Sequence, residues 1–195
     1  MDQNTEPLAP PRIRPIAEAP AAARRAVELL RNGNGQLGLT EAEASQVVAH
    51  MHLVSVAKGT TLFREGDGTK LDHLLLLLEG EVSIDTWATT LAGPVAISVV
   101  GPGSIIGEMA LLDGAPRSAS CVTASPVQAA VLSRKGLEVL IDEHPRTAVK
   151  LLVGLGARTA DRLRALGEQL QIYATLVDDL QAEVARLRGK PPALR

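Results

Sequence analysis

The chain has 195 residues, 46% hydrophobic and 22% charged, with a formal net charge of −2. That length suits one compact domain, or a domain with an extension, and the charge balance excludes wholesale attraction to nucleic acid or an anionic membrane. Aromatic residues make up only 2%, so Leu, Val, Ile and Ala must fill the core, and the single cysteine, Cys121, reads as a small buried hydrophobe in a chain with no intramolecular disulfide.

Residues 1–19 mix Pro, Ala and alternating charges, the composition of a disordered tail. Five prolines in the first twenty residues and no apolar stretch argue against a secretory signal. The apolar run Leu74–Leu78 is too short to span a membrane, so a cytoplasmic protein is expected. Two N-terminal helices are predicted over 20–51. In "AAARRAVELLR", Ala23, Ala26, Val27 and Leu30 share one helical face, and "NGNG" at 32–35 ends it. Thr40 followed by Glu43 makes a capping box for the second helix, which buries Val47, Val48 and Met51.

From Lys58 to Leu132 the pattern becomes short apolar stretches punctuated by glycine. "EVSID" (81–85) and "VAISV" (95–99) alternate, whereas "LLLLL" (74–78) does not, which suits a strand covered on both sides. The expectation is an antiparallel β-barrel or jelly roll over 52–144, together with a following helix at 134–144. Pro145 is placed as the first residue of a long helix running to Arg188, roughly 65 Å at 1.5 Å per residue. Gly154, Gly156 and Gly167 weaken it locally, the first two as places to bend. Along it Leu163, Leu166, Leu170, Tyr173, Val177, Leu180, Val184 and Leu187 alternate spacings of three and four. Such a seam predicts a homodimeric parallel coiled coil, with Glu183 and Arg188 pairing between helices. The alternative is a helix docking this stripe on its own domain. Residues 189–195 form a second tail.

The stretch "GEMALLDGAPRSAS" (107–120) places one acid, Glu108, and one base, Arg117, among residues that otherwise read as core. "GPG" (101–103) turns the chain, Gly107 allows close backbone approach, and Glu108–Leu112 fit a short helix whose start offers free N–H groups to an anion. The Arg117 guanidinium matches phosphate oxygens, Ser118 adds a hydroxyl, and Glu108 needs a neutral donor such as a sugar hydroxyl. Phosphate and sugar hydroxyl together describe a nucleotide pocket. The alternative is a buried Glu108–Arg117 ion pair, costly to keep without further hydrogen bonds. His50, His52, His73 and His144 show no metal-ligand spacing with Cys121, so exposed or capping roles and no metal site are expected. No dinucleotide fingerprint, Walker motif or nucleophile elbow is present, and no enzyme activity is expected.

"PGSIIGEMALLDGAPRSASCVTA" (102–124) resembles the phosphate-binding cassette of cyclic nucleotide-binding domains, found in catabolite activator proteins, protein kinase A regulatory subunits and cyclic nucleotide-gated channels. The resemblance extends through "KGTTLFREGD" (58–67), "LLLLLEGEV" (74–82) and the helix from Pro145. It implies that Glu108 holds the ribose 2′-hydroxyl, Arg117 the cyclic phosphate and Ser118 the phosphate or base. It further implies backbone contacts at Gly107, Met109, Ala110 and Ala119, and base-capping by Arg158 or Arg162. Ile106 stands where relatives carry an aromatic. Only seven residues follow Arg188, so no helix-turn-helix domain and no direct DNA binding are expected. The resulting expectation is a homodimeric sensor of a cyclic mononucleotide, cyclic AMP before cyclic GMP, signalling through a protein partner and needing no cofactor. The rivals are a coiled-coil scaffold with a ligand-free barrel, a cyclic di-GMP sensor and a cyclic-nucleotide hydrolase.

Overall fold

The structure, a computed structural model, describes residues 12–32, 37–69, 72–86 and 95–188. The first eleven residues of the expected tail, most of the Asn-Gly turn and residues 189–195 lie outside the described residues.

Residues 12–19 are ordered, which corrects the expectation of a tail extending to 19. Arg12–Pro15 form strand β1, paired antiparallel with β2 (His52–Val56) from Arg12↔Ser55 to Pro15↔His52. Ile16 explains why: it is fully buried, and its N–H donates to the Met51 carbonyl at 3.2 Å. Helix α1 (Pro20–Asn32) follows, burying Ala26 and Leu30 with Ala23 and Val27 packed beside them. Helix α2 (Glu41–Ala49) opens on the capping box, Thr40 Oγ1 accepting from the Glu43 N–H while the Glu43 carboxylate accepts from the Thr40 N–H.

The remaining strands are β3 (Thr61–Phe63), β4 (His73–Glu79), β5 (Val82–Thr86), β6 (Val95–Val100), β7 (Ile105–Ile106), β8 (Ser120–Thr123) and β9 (Val127–Ser133). They form two antiparallel sheets, ordered β1-β2-β9-β4-β7 and β3-β8-β5-β6. No ladder joins the two sheets among the described residues, so the architecture is a double-sheet sandwich rather than a closed barrel. Strand β4 shows why five leucines run together. Leu74, Leu76 and Leu78 face a core shared with the helices, while Leu75 and Leu77 face a second core between the sheets.

Helix α3 (Glu108–Asp113) leaves β7 through Gly107, and α4 (Arg134–Glu143) leaves β9 with Ser133 Oγ accepting from the Gly136 N–H. Helix α5 (Pro145–Arg188) is continuous. Its first eleven residues, Pro145 to Leu155, belong to the compact unit, which therefore extends past the expected boundary at Pro145. Ala148, Leu151 and Leu155, at helical spacing, are each 1% exposed, and the compact unit reaches Leu155. Gly154, read as a bend, serves packing instead: a β-carbon there would lie 2.8 Å from Leu37 Cδ2 and 3.1 Å from Leu37 Cα. A polar seam fixes the register of α2 against this part of α5. Glu43 pairs with Lys150 at 2.5 Å, and the Thr147 hydroxyl donates to Gln46 Oε1 at 2.6 Å.

The second unit begins at Gly156 and is formed by the rest of α5. Leu163, Leu166, Leu170, Tyr173, Val177, Leu180 and Val184 are all exposed, between 45% and 70%. Glu183 pairs within its own helix, with Arg186, and Asp161 pairs with Arg164. No described helix is long and apolar enough to cross a membrane.

Candidate functional site

The site is built where β7 turns into α3. Gly107 caps the helix with φ 78°, a left-handed conformation that glycine adopts without strain. Its missing side chain is also a steric requirement, since a β-carbon would lie 2.6 Å from an Arg117 terminal nitrogen and 2.8 Å from the Phe63 ring. Glu108, Met109 and Ala110 then occupy the first turn of α3, whose N–H groups have no partner earlier in the helix. Glu108 is 6% exposed and Ala110 is buried. The far end of α3 is held as firmly. Gly114, left-handed at φ 70°, donates to the Ala110 carbonyl, and Arg134 of α4 donates to the Leu111 carbonyl at 2.7 Å.

Arg117 stands opposite, 5% exposed. Its backbone is clamped to the turn after β3: the Gly66 N–H donates to the Arg117 carbonyl, and the Arg117 N–H donates to the Asp67 carbonyl. The guanidinium lies over the Phe63 ring, 3.9 Å from its centroid. One terminal nitrogen donates to the Gly107 carbonyl at 2.8 Å and the other to the His73 carbonyl at 3.1 Å. Burial lowers the Arg117 pKa, and Asp72, Cys121, Asp67 and Glu108 oppose that shift. A guanidinium has five donors in a fixed fork, and these two bonds set its orientation. Ser118 is exposed, its hydroxyl 3.7 Å from the Met109 sulfur. Ala119, half-buried, leads into β8.

The fold therefore brings Gly107, Glu108, Met109, Ala110, Arg117, Ser118 and Ala119 to one neighbourhood. Arg158 and Arg162 lie one turn apart in the second unit, half-buried and exposed. Two participants were not singled out from the sequence. Phe63 supplies the platform under Arg117, and His73 supplies a carbonyl. The chain's only phenylalanine sits inside "KGTTLFREGD", which was a usable signal; a carbonyl contact leaves none. Histidines expected to share no site also meet: His50, Glu143 and His144 place their ligating atoms within 4.8 Å of one another.

A left-handed glycine, a helix start and a buried, oriented guanidinium make a cradle for an anion, and the buried carboxylate adds an acceptor for a neutral donor. Residues 53–144 match the model of the cyclic nucleotide-binding domain. A cyclic nucleotide-binding domain from Methylobacillus flagellatus superimposes with a TM-score of 0.68 at 31% identity, covering 80% of this chain and 85% of that one.

This chain belongs to the cyclic nucleotide-binding domain family.

Two curated regulators are also similar to this chain. The Cyclic AMP receptor protein of Thermus thermophilus is 30% identical over 138 residues, 70% of this chain and 60% of its own length. The CRP-like cAMP-activated global transcriptional regulator of Mycobacterium tuberculosis is 26% identical over 131 residues, 67% of this chain and 57% of its own. The chain thus spans about three fifths of the regulators it matches. Within the family fold, the match from 53 to 144 takes in both sheets except β1, the cassette from Gly107 to Ala119, and α4.

Proposed function

We propose that this domain binds a cyclic mononucleotide, cyclic AMP in preference to cyclic GMP, and acts as a regulator rather than an enzyme. The observation that carries the reading is the pairing of two buried, opposite charges across one glycine. Arg117 donates to the carbonyl of Gly107, and Glu108 is the next residue. Arg117 takes the cyclic phosphate, helped by the first-turn N–H groups at Met109 and Ala110 and by the Ala119 backbone. Glu108 accepts from the ribose 2′-hydroxyl, and Ser118 donates to the phosphate or base. The preference for cyclic AMP is supported by two relatives named for it. A 3′,5′-cyclic ring leaves the 2′-hydroxyl available to Glu108, which favours a mononucleotide over cyclic di-GMP. The assignment of Arg158 and Arg162 to the base rests on the resemblance alone.

Output passes through α5. Its exposed heptad seam is read as a homodimeric coiled coil, with the bound state communicated to a protein partner rather than directly to DNA. Calorimetry with cyclic AMP, cyclic GMP and cyclic di-GMP tests the ligand. Each charge-assisted hydrogen bond contributes about 1.5–3 kcal/mol, so Arg117→Ala is expected to weaken cyclic AMP binding at least roughly tenfold. Glu108→Ala weakens it as well. Binding that is absent in the parent protein, or unchanged in both variants, overturns the reading and leaves the scaffold alternative.

A further inference from the structure

His50 and His144 are 94 positions apart in sequence and stand together in the fold. Each closes a helix. His50 caps α2 with its N–H donating to the Val47 and Val48 carbonyls, and His144 caps α4 with its N–H donating to the Leu140 carbonyl. Glu143, the last residue of α4, joins them. His50 Nε2 lies 3.5 Å from a Glu143 carboxylate oxygen, and the two imidazole centroids are 6.5 Å apart. The His50 side chain is only 15% exposed, whereas Glu143 is 57% exposed and able to move.

The backbone holding these groups is fixed from two sides. A β-carbon on Gly136 of α4 would lie 2.8 Å from the His50 carbonyl, so α4 packs directly against the end of α2. On α2, Glu43, Gln46 and His50 follow one another at helical spacing. The first two are tied to Lys150 and Thr147 of α5, and the third lies beside Glu143 and His144. The cluster is thus the last rung of the polar seam. Both histidines also sit at helix C-termini, where the peptide dipoles leave partial negative charge that favours a cation.

We propose that His50, Glu143 and His144 form a site for a divalent transition-metal cation of the imidazole-preferring kind, typified by zinc, with water completing the coordination. Zinc bonds to imidazole nitrogen and carboxylate oxygen are about 2.0–2.2 Å, which places tetrahedral ligand atoms about 3.3 Å apart. Atoms now within 4.8 Å reach that spacing through side-chain rotation, chiefly of the exposed Glu143. Two imidazoles and one carboxylate select against magnesium and calcium, which take oxygen ligands. The bound ion would tie the end of α2 to the joint between α4 and α5, one residue before Pro145.

The test uses the full chain without an affinity tag, stripped of metal, and no nucleotide, so its result is independent of the nucleotide reading. Calorimetric titration with zinc chloride is expected to show one saturable site per chain, undisturbed by millimolar magnesium. Cobalt(II) is expected to give the visible absorption of a tetrahedral site. His50→Gln and His144→Asn are each expected to lower zinc affinity at least about tenfold, and His52→Gln, a neighbouring exposed histidine, to leave it unchanged. Circular dichroism of the metal-free variants checks their fold. Should His50→Gln misfold, Glu143→Gln, at an exposed position, must weaken binding instead. No saturable zinc binding overturns the proposal and leaves a polar contact between His50 and Glu143. Zinc binding that survives His144→Asn, or is lost in His52→Gln, overturns it as well.

Discussion

At Gly107 a single added carbon reaches both the base and its platform. The residue is left-handed, and a β-carbon would press on the Arg117 guanidinium and the Phe63 ring. Gly107→Ala is therefore expected to cost about 1–2 kcal/mol for the backbone conformation alone. That corresponds to a melting temperature lower by roughly 2–8 °C in a chain of this size. Because the displaced atom belongs to Arg117, affinity for cyclic AMP should fall in the same variant. A parent-like melting temperature together with parent-like affinity would show that the close approach is unimportant. That Glu108 and Arg117 would be buried in one neighbourhood was legible in the sequence, because lone charges in apolar surroundings stand out. Phe63 carried a signal as the chain's only phenylalanine but was passed over, since a phenylalanine in a short apolar strand reads as core, and here it is both core and cation platform. His50 and His144 were not legible as neighbours, because only the tertiary contact between helix ends joins them.

At the scale of elements, β4 and the α2–α5 seam carry separate parts of the domain's stability. Leu76 is fully buried in the core shared with the helices. Leu76→Ala should cost about 2–5 kcal/mol, read as a lower urea midpoint. The seam adds a pH dependence of definite sign. Hydrogen bonds from Lys150 and from the Thr40 backbone lower the Glu43 pKa from 4.5 to about 2. A carboxyl depressed in the folded state contributes stability that is complete above its unfolded value and is lost as pH falls toward its folded value. Unfolding free energy should therefore drop as pH falls from near 5 to near 2, and Glu43→Gln should flatten part of that drop. An identical slope in the variant would assign the acid sensitivity to other groups. The doubly covered strand and the capped helices were readable because five unbroken leucines, a capping box and helical spacing are local signals. Strand β1 was not. "RIRP" alternates for only four residues and ends on a proline in a Pro-rich stretch, and pairing with β2 and burial of Ile16 order it from outside. The choice between a barrel and a double-sheet jelly roll stayed open because strand periodicity does not record which edges meet.

At the scale of the whole molecule, the heptad positions of α5 are the largest run of exposed apolar side chains described. Such a stripe, repeating every seven residues, is the feature on which the proposed parallel coiled coil rests. Leu170→Glu combined with Val177→Glu puts charge at two seam positions one heptad apart. Analytical ultracentrifugation should show the parent as a dimer and the variant as a monomer, each with the sheet signature intact by circular dichroism. A parent protein that is monomeric at micromolar concentration would remove the seam from the dimer reading.

The strand order also constrains how the chain is born. Strand β2 lies between β1 and β9, and about seventy residues separate Val56 from its partner Val127. At roughly 5–20 residues per second on the ribosome, β1 and β2 emerge some 4–14 s before the strand that closes their sheet. Strand β4, with its five leucines, waits on the same partner. Until β9 emerges, the most apolar segment of the protein has only the two-residue strand β7 to pair with and keeps its other edge open to misassociation. Synthesis of β9 is thus the step that commits the nascent chain to its fold. A release factor or stall that halts translation before Val127 would leave two sheet edges exposed together, and nascent chains arrested there should recruit chaperones that chains extended past Ser133 no longer need.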